Sequence, residues 1–311
     1  MEMTTLGRGA PTLTLGPVLF LWEPAMWRDF YYRIADEADV DTVVVGEVVC
    51  SKRSHFHDAL ISKVVDRLEA GGKRVRLAAL ALVTLERELQ ASRRLARQRL
   101  EVEVSELSAH AAMAGKPHAV SPLVNVYNAA TAMVLAARGA NSICLPPELP
   151  ASSIRAIVAG APGIPFEVFS FGRVPLAISA RCAHARVKGN TKDNCKFVCG
   201  EDPDGLAVDT LDGQHFLALN GVQTMSSTVQ CLITDVPELM AAGISSLRLS
   251  PQVCDMARVA ETFRDVMQGR MDPNEGLLRL RDIHSGAEFS NGFLHGLPGH
   301  LLKTPELLLG A

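Results

Sequence analysis

The chain has no hydrophobic run long enough to cross a bilayer. Its longest mostly apolar stretch, Ala129 to Leu145, is broken by Arg138, Gly139 and Asn141, short of the ~20 apolar residues that a spanning helix requires. The first twelve residues lack the apolar core of a secretory signal, which points to a cytoplasmic protein with a frayed tail over residues 1–12. Positive charge is not in excess either. Against 31 Lys and Arg stand 34 Asp and Glu, for a net charge of −3, and this argues against a generally basic nucleic-acid binder. No G-x-G-x-x-G follows the first apolar run, and no G-x-x-x-x-G-K-[ST], H-E-x-x-H or G-x-S-x-G occurs. The open nucleotide-binding sheet, the zincin site and the nucleophile elbow therefore lack their signatures.

What the sequence does have is material for a core, with 48% hydrophobic residues over 311 positions, and a regular alternation of short β-branched runs with longer stretches of helical spacing. Strands are expected at Leu13–Leu21, Thr42–Val45, Arg74–Leu80, Leu100–Val104, His118–Val124, Ser142–Leu145, Phe166–Phe169 and Ser246–Leu249. Helices are expected near Trp27–Glu37, Ala59–Ala70, Leu85–Gln98, Ala129–Ala137, Ser152–Ala159, Val236–Ala242 and Met256–Gln268. Eight strands with intervening helices predict an α/β fold, a (β/α)8 barrel of the TIM type forming one domain over residues 13–311. Turn signals at Asp202-Pro203-Asp204-Gly205 and Asp212-Gly213 place an inserted β-hairpin region after strand 7, within 182–233. The segment after Met271 is expected to pack over the barrel.

Seven cysteines without an export signal do not suggest disulfides, because the cytosol keeps thiols reduced. Cys144, Cys231 and Cys254 read as small buried hydrophobes. The other four differ: Cys182, Cys195 and Cys199 crowd into 18 residues after strand 7, and Cys50 follows strand 2. In a barrel, loops after strands share one rim, so four thiolates are expected to converge. Sulfur sets of this kind suit zinc or an iron-sulfur cluster. The absence of paired C-x2-C knuckles leans toward a cluster while zinc stays open. Arg181, Arg186, Lys188, Lys192 and Lys196 lie among the thiols, where cations favour the thiolate form. His184 reads as a polar loop residue.

Two blocks, Gly46-Glu47-Val48-Val49-Cys50-Ser51-Lys52-Arg53 and Gly172-Arg173-Val174-Pro175-Leu176-Ala177-Ile178-Ser179-Ala180-Arg181-Cys182, with the loop Asp193 to Cys199 and the tail Asn291 to Gly296, resemble the collagenase-like peptidase U family over most of the chain. The resemblance is to members that act in oxygen-independent ubiquinone biosynthesis. It implies a 4Fe-4S cluster held by Cys50, Cys182, Cys195 and Cys199. It also implies a heterodimer with a UbiU-like protein, a UbiT-like lipid-binding accessory, a polyprenylated aromatic ubiquinone precursor as substrate and prephenate as oxygen donor. Four protein thiolates would saturate such a cluster, which favours electron transfer or scaffolding over substrate binding at iron.

No general acid or base is assigned. Strand ends direct attention to Glu47, Glu106, Asn125, Tyr127, Asn128, Ser170 and Arg173. Arg173 is a candidate for gripping a carboxylate, or for a structural ion pair. Glu47 is expected to orient a substrate or to pair with Lys52. Phe293 to Leu297 is a weak candidate for part of an apolar groove, with core packing as the alternative. Two other functions compete: RNA base modification, for which Arg93, Arg94, Arg97 and Arg99 form the one dense basic stretch outside the cysteine loop and read equally as a solvated helix face, and peptidase activity, which lacks a motif.

Overall fold

The computed structural model describes residues 10–304. The tail expected over residues 1–12 lies, as far as residue 9, outside the described residues. The first half of the chain alternates β1 (Thr12–Leu15), α1 (Pro24–Glu37), β2 (Thr42–Val45), α2 (Asp58–Ala70), β3 (Arg74–Ala78), α3 (Glu86–Leu95), β4 (Glu101–Val104), α4 (Leu107–Ala112) and β5 (His118–Val120). Then come α5 (Ala129–Ala137), β6 (Ala140–Leu145), α6 (Ala151–Gly160), β7 (Phe166–Ile178) and α7 (Ala183–Val187). The remainder is β8 (Leu206–Asp209), β9 (His215–Asn220), β10 (Gln223–Cys231), α8 (Val236–Ala241), β11 (Ser246–Leu249), α9 (Met256–Met267), α10 (Pro273–Ile283) and β12 (Phe289–Ser290).

β1 to β7 pair in sequence order, all parallel, and β11 closes the ring between β7 and β1. These are the eight strands the β-branched runs predict, and the fold is a (β/α)8 barrel. Strands covered on both faces must be apolar throughout, and β2, Thr-Val-Val-Val, is buried at every position. The first strand stops at Leu15 instead of Leu21 because Gly16-Pro17 follows and proline has no N–H to give a ladder; Val18 to Trp22 continue as a buried loop. The fifth strand stops at Val120 for the same reason, Pro122 opening a 3-10 turn to Val124. The third helix ends at Leu95, three residues before Gln98.

The insertion is larger than a hairpin. β7 runs for 13 residues, and its first half lies in the barrel against β6 and β11. Its second half leaves the barrel and pairs antiparallel with β10, which pairs with β9, and β9 with β8. The strand changes partners at Gly172, where φ is +122° and a Cβ would stand 2.7 Å from the Ser250 Cβ. No helix among the described residues is long and apolar enough to cross a membrane.

The barrel interior holds a charge network. Arg248 on β11 donates to Glu103 on β4 and, at 2.6 Å, to Glu167 on β7, and all three side chains are at most 4% exposed. Burial alone would push the Glu167 carboxyl up; Arg248 and Arg76 outweigh burial and hold it below the usual range. Above the network, a cavity of about 30 Å³ at the mouth is lined by Ser105, Ser121, Leu123, Phe169 and Ser250.

Candidate functional site

Each of the four candidate thiols sits at the start of a tight turn or inside one. After β2 the chain turns through Gly46, and Glu47 Oε1 accepts from the backbone N–H of Val49 (2.7 Å) and Cys50 (2.9 Å). That loop delivers Cys50 to the start of a 3-10 turn, Ser51–Phe56. Cys182 starts α7, and its Sγ accepts from the Ala185 N–H at 3.4 Å. Cys195 accepts at its carbonyl from Val198, and Cys199 lies in the 3-10 turn Val198–Gly200. Between them Lys196 and Phe197 adopt left-handed φ values of 49° and 56°, which cost free energy in residues with a Cβ.

Three contacts bring these segments together. Lys52 Nζ donates to the carbonyls of Lys192 (2.8 Å) and Asp193 (3.0 Å). The Phe197 ring meets His55 and Phe56 edge-on, with centroids 5.2 and 4.9 Å apart. Ser51 donates to Glu88, which also closes the first turn of α3 by accepting from Thr84 and Leu85. The Cys50 turn is thereby tied on one side to the Cys195 loop and on the other to α3. Cys199 and Cys195 stand near enough to Cys182 for negative charge on either to push its thiol up. Burial pushes the free thiols of Cys50 and Cys182 up.

Arg53 lies at the centre of this arrangement, a residue that sequence reasoning quotes only as the last letter of a motif. It is 1% exposed. Nη1 donates to the Leu19 carbonyl at 2.9 Å and Nη2 to Asn220 Oδ1 at 2.8 Å, both neutral acceptors, while the buried Nε has no partner. Burial disfavours its charge, but Glu47, then Cys199 and Cys50, outweigh burial and hold the guanidinium firmly charged. The surrounding loop adds cations: Arg181, Arg186 and Lys196 are exposed and Lys192 half-buried, and among the described residues none forms an ion pair, whereas Lys188 pairs with Glu201 (3.1 Å) and Asp202 (3.4 Å).

By donor chemistry alone, four thiols are a set that an iron-sulfur cluster takes. Among the described residues no three His, Cys, Asp or Glu side chains are grouped as ligands of a single ion. The unpartnered Arg53 Nε supplies a buried N–H beside thiols that ligation would make anionic.

The other rim candidates are placed as structural residues. Glu106 caps α4 by accepting from Ser108 and Ala109, and Asn128 caps α5 by accepting from Thr131 at 2.8 Å. Asn125 ends a 3-10 turn in the left-handed region, where asparagine is tolerated. Tyr127 donates to Glu148, and Ser170, fully buried, donates to the Val168 carbonyl at 3.0 Å. Arg173 does not await a carboxylate ligand. It pairs with Asp204 at 2.7 Å and donates to the Ser226 and Ser227 carbonyls. Glu47 binds backbone N–H groups and does not pair with Lys52, whose ammonium is committed to carbonyls. His184 is no surface loop residue. It is fully buried, between the Leu219 carbonyl (3.1 Å) and Asp202 (3.0 Å).

Of the remaining thiols, Cys144 and Cys231 are buried and Cys254 is half-buried; burial raises all three, Cys231 and Cys254 to about 12. In the tail segment, Leu294 is buried in the core and His295 pairs with Asp235 at 2.9 Å. A groove of about 520 Å³ does open elsewhere, between α2 and α3. Val45, Leu77, Leu80 and Leu95 line it, with Glu47 and Ser51 from the Cys50 loop. On the outer face of α3 and beyond, Arg93 pairs with Glu86 (3.8 Å) and Arg99 with Glu69 (2.8 Å), all exposed or half-exposed, as on a solvated face.

A sequence profile described as peptidase family U32 matches residues 27–303. Among solved structures, the chain is similar to phospho-2-dehydro-3-deoxyheptonate aldolase (DAHP synthase) from Thermotoga maritima, with 11% identity and a TM-score of 0.43 over 93% of this chain and 75% of that one.

Proposed function

Since the chain belongs to peptidase family U32, we propose that it serves in the branch of that family its motifs resemble, as the UbiV-type subunit, carrying a 4Fe-4S cluster, of an oxygen-independent hydroxylase of ubiquinone biosynthesis. The observation that supports this reading is a buried guanidinium with an unpartnered N–H beside Cys199 and Cys50, with Cys182 also within reach of its charge. The cluster would supply one-electron transfer. The chain's own part is to hold four thiolates, to shield them with Phe56 and Phe197, and to offset their charge with Arg53 and the loop cations. With four protein ligands no iron is left open for substrate, so the ring chemistry falls to the joint site with a UbiU-like partner, on a polyprenylated precursor delivered with a UbiT-like accessory and with prephenate as oxygen donor. The groove between α2 and α3 has the volume of a small-molecule site, a lining of mixed apolar and charged residues, and begins at the Cys50 loop.

The test is anaerobic purification, alone and with the UbiU-like partner, with iron and sulfide counted per chain. The expected result is about four of each per chain, with iron lost from Cys182→Ala and anaerobic quinone synthesis lost with it. An iron-free wild-type protein, or a Cys182→Ala variant with unchanged iron, ends the proposal. The name of the family denotes peptidases, but neither an H-E-x-x-H helix nor a G-x-S-x-G elbow is present to support peptide hydrolysis.

A further inference from the structure

A charged side chain taken fully out of water loses its solvation, a cost that charge nearby must offset. Arg53 is 1% exposed, and the two groups it binds, the Leu19 carbonyl and the Asn220 amide, are neutral. Glu47 offsets its charge but makes no hydrogen bond to it, its Oε1 accepting from the N–H groups of Val49 and Cys50. What remains beside the guanidinium is sulfur, Cys199 first and Cys50 next, with Cys182 also within reach of its charge. As free thiols these are neutral. As ligands they would become anions and add to the one carboxylate, Glu47, that already offsets the buried cation.

The side chain has no freedom to turn away. Asn220, which accepts from Nη2, itself donates to the same Leu19 carbonyl at 2.8 Å. Behind Nη2, a Cβ at position 221 would come within 2.4 Å, so this position, at φ +62°, tolerates only glycine while Arg53 stays in place. The one polar atom left unsatisfied is Nε.

We propose that Arg53 is the counter-charge of the cluster, its Nε–H donating to a cluster or ligand sulfur and its positive charge raising the reduction potential. This rests on the reading that the four thiols hold a cluster. Reduction adds negative charge next to a fixed cation in a medium of low polarity, so the cation favours the reduced state; hydrogen bonds to sulfur act in the same direction.

The experiment compares wild type, Arg53→Gln and Arg53→Lys, all purified anaerobically, by iron counting and by a potentiometric titration followed by electron paramagnetic resonance. The neutral variant is expected either to lose the cluster with its circular dichroism unchanged, or to keep it with a midpoint more negative by at least a tenfold change in the reduced-to-oxidised ratio, about 59 mV for one electron. Arg53→Lys, which keeps the charge, stays near wild type. A fully loaded Arg53→Gln at the wild-type midpoint overturns the proposal, and so does Arg53→Lys behaving like Arg53→Gln, since shape and not charge would then be at work. If neither variant folds, wild-type protein labelled with 15N-arginine decides: a weak nitrogen coupling to the reduced cluster supports the hydrogen bond, and no coupling overturns it. An iron-free wild type fails the functional reading itself, an outcome distinct from all of these.

Discussion

Arg248 sits where a charge is hardest to keep, inside the barrel with two carboxylates around it. Removing one member of such a set strands the others without water. Arg248→Met is therefore expected to destabilise the fold by about 3–5 kcal/mol, read as a lower denaturant midpoint. Loss of packing volume alone, as in a methionine-for-leucine exchange, would cost under about 1.5 kcal/mol. His110 is a second buried titrating group: its Nδ1 lies 2.9 Å from His118 Nε2, and its own Nε2 has no partner. Burial, then the neighbouring His118 and Arg138, hold its protonation below the ordinary histidine range. The unfolded chain binds that proton at pH ~6.5, and the folded chain only at lower pH. Stability from this group is thus complete above the unfolded value and declines as pH falls through it, by up to about 1.4 kcal/mol per pH unit. Denaturation curves from pH 7.5 to 5 should slope less for His110→Asn than for wild type. An equal slope would remove His110 from the acid response.

At the scale of elements, the Cys50 turn and the Cys195 loop are joined by one ammonium, that of Lys52. Lys52→Met should leave the barrel intact and release the loop, with faster proteolytic cleavage near Lys188 to Lys196 and a melting temperature within a few degrees of wild type. Cleavage at the wild-type rate would show that the Phe56–Phe197 contact is sufficient alone. The same scale explains what could be read from the residues. The barrel strands were legible because strands such as Thr42–Val45 are β-branched runs between clear breakers. α4 and α7, six and five residues long, carry too few turns for a period to show, and α10 hides behind Pro273, which reads as a break although it occupies the first turn of a helix capped by Asp272. The extension of β7 was invisible past Phe169, since Gly172 and Pro175 suggest an end where the strand only changes partners. The crowding of Cys182, Cys195 and Cys199 after β7 was legible from spacing. Arg53 was not, because nothing local distinguishes a buried arginine from the exposed ones around it, and its burial depends on Leu19 and Asn220 from distant parts of the chain.

For the molecule as a whole, the thiols belong to two structures that share β7: Cys50 to the barrel rim, the other three to the segment between β7 and the antiparallel strands. A cluster bound to all four would bind the native state and not the unfolded chain, and so would stabilise the whole fold. Anaerobic protein stripped with a chelator is expected to melt at a lower temperature than loaded protein in a single transition. Loss of only the insertion's signal before the barrel's would show that the two parts are not coupled through the thiols. Cys50 and Cys199 stand 149 positions apart in the chain, and this has a consequence for synthesis. On a translating ribosome Cys50 emerges while most of the barrel is still unmade, and the last thiol arrives before β8 to β12 and the closing strand β11 exist. Asn220 and Gly221, which seat Arg53, are likewise translated after all four of these cysteines, so the arginine takes its buried place only once every one of them has been made.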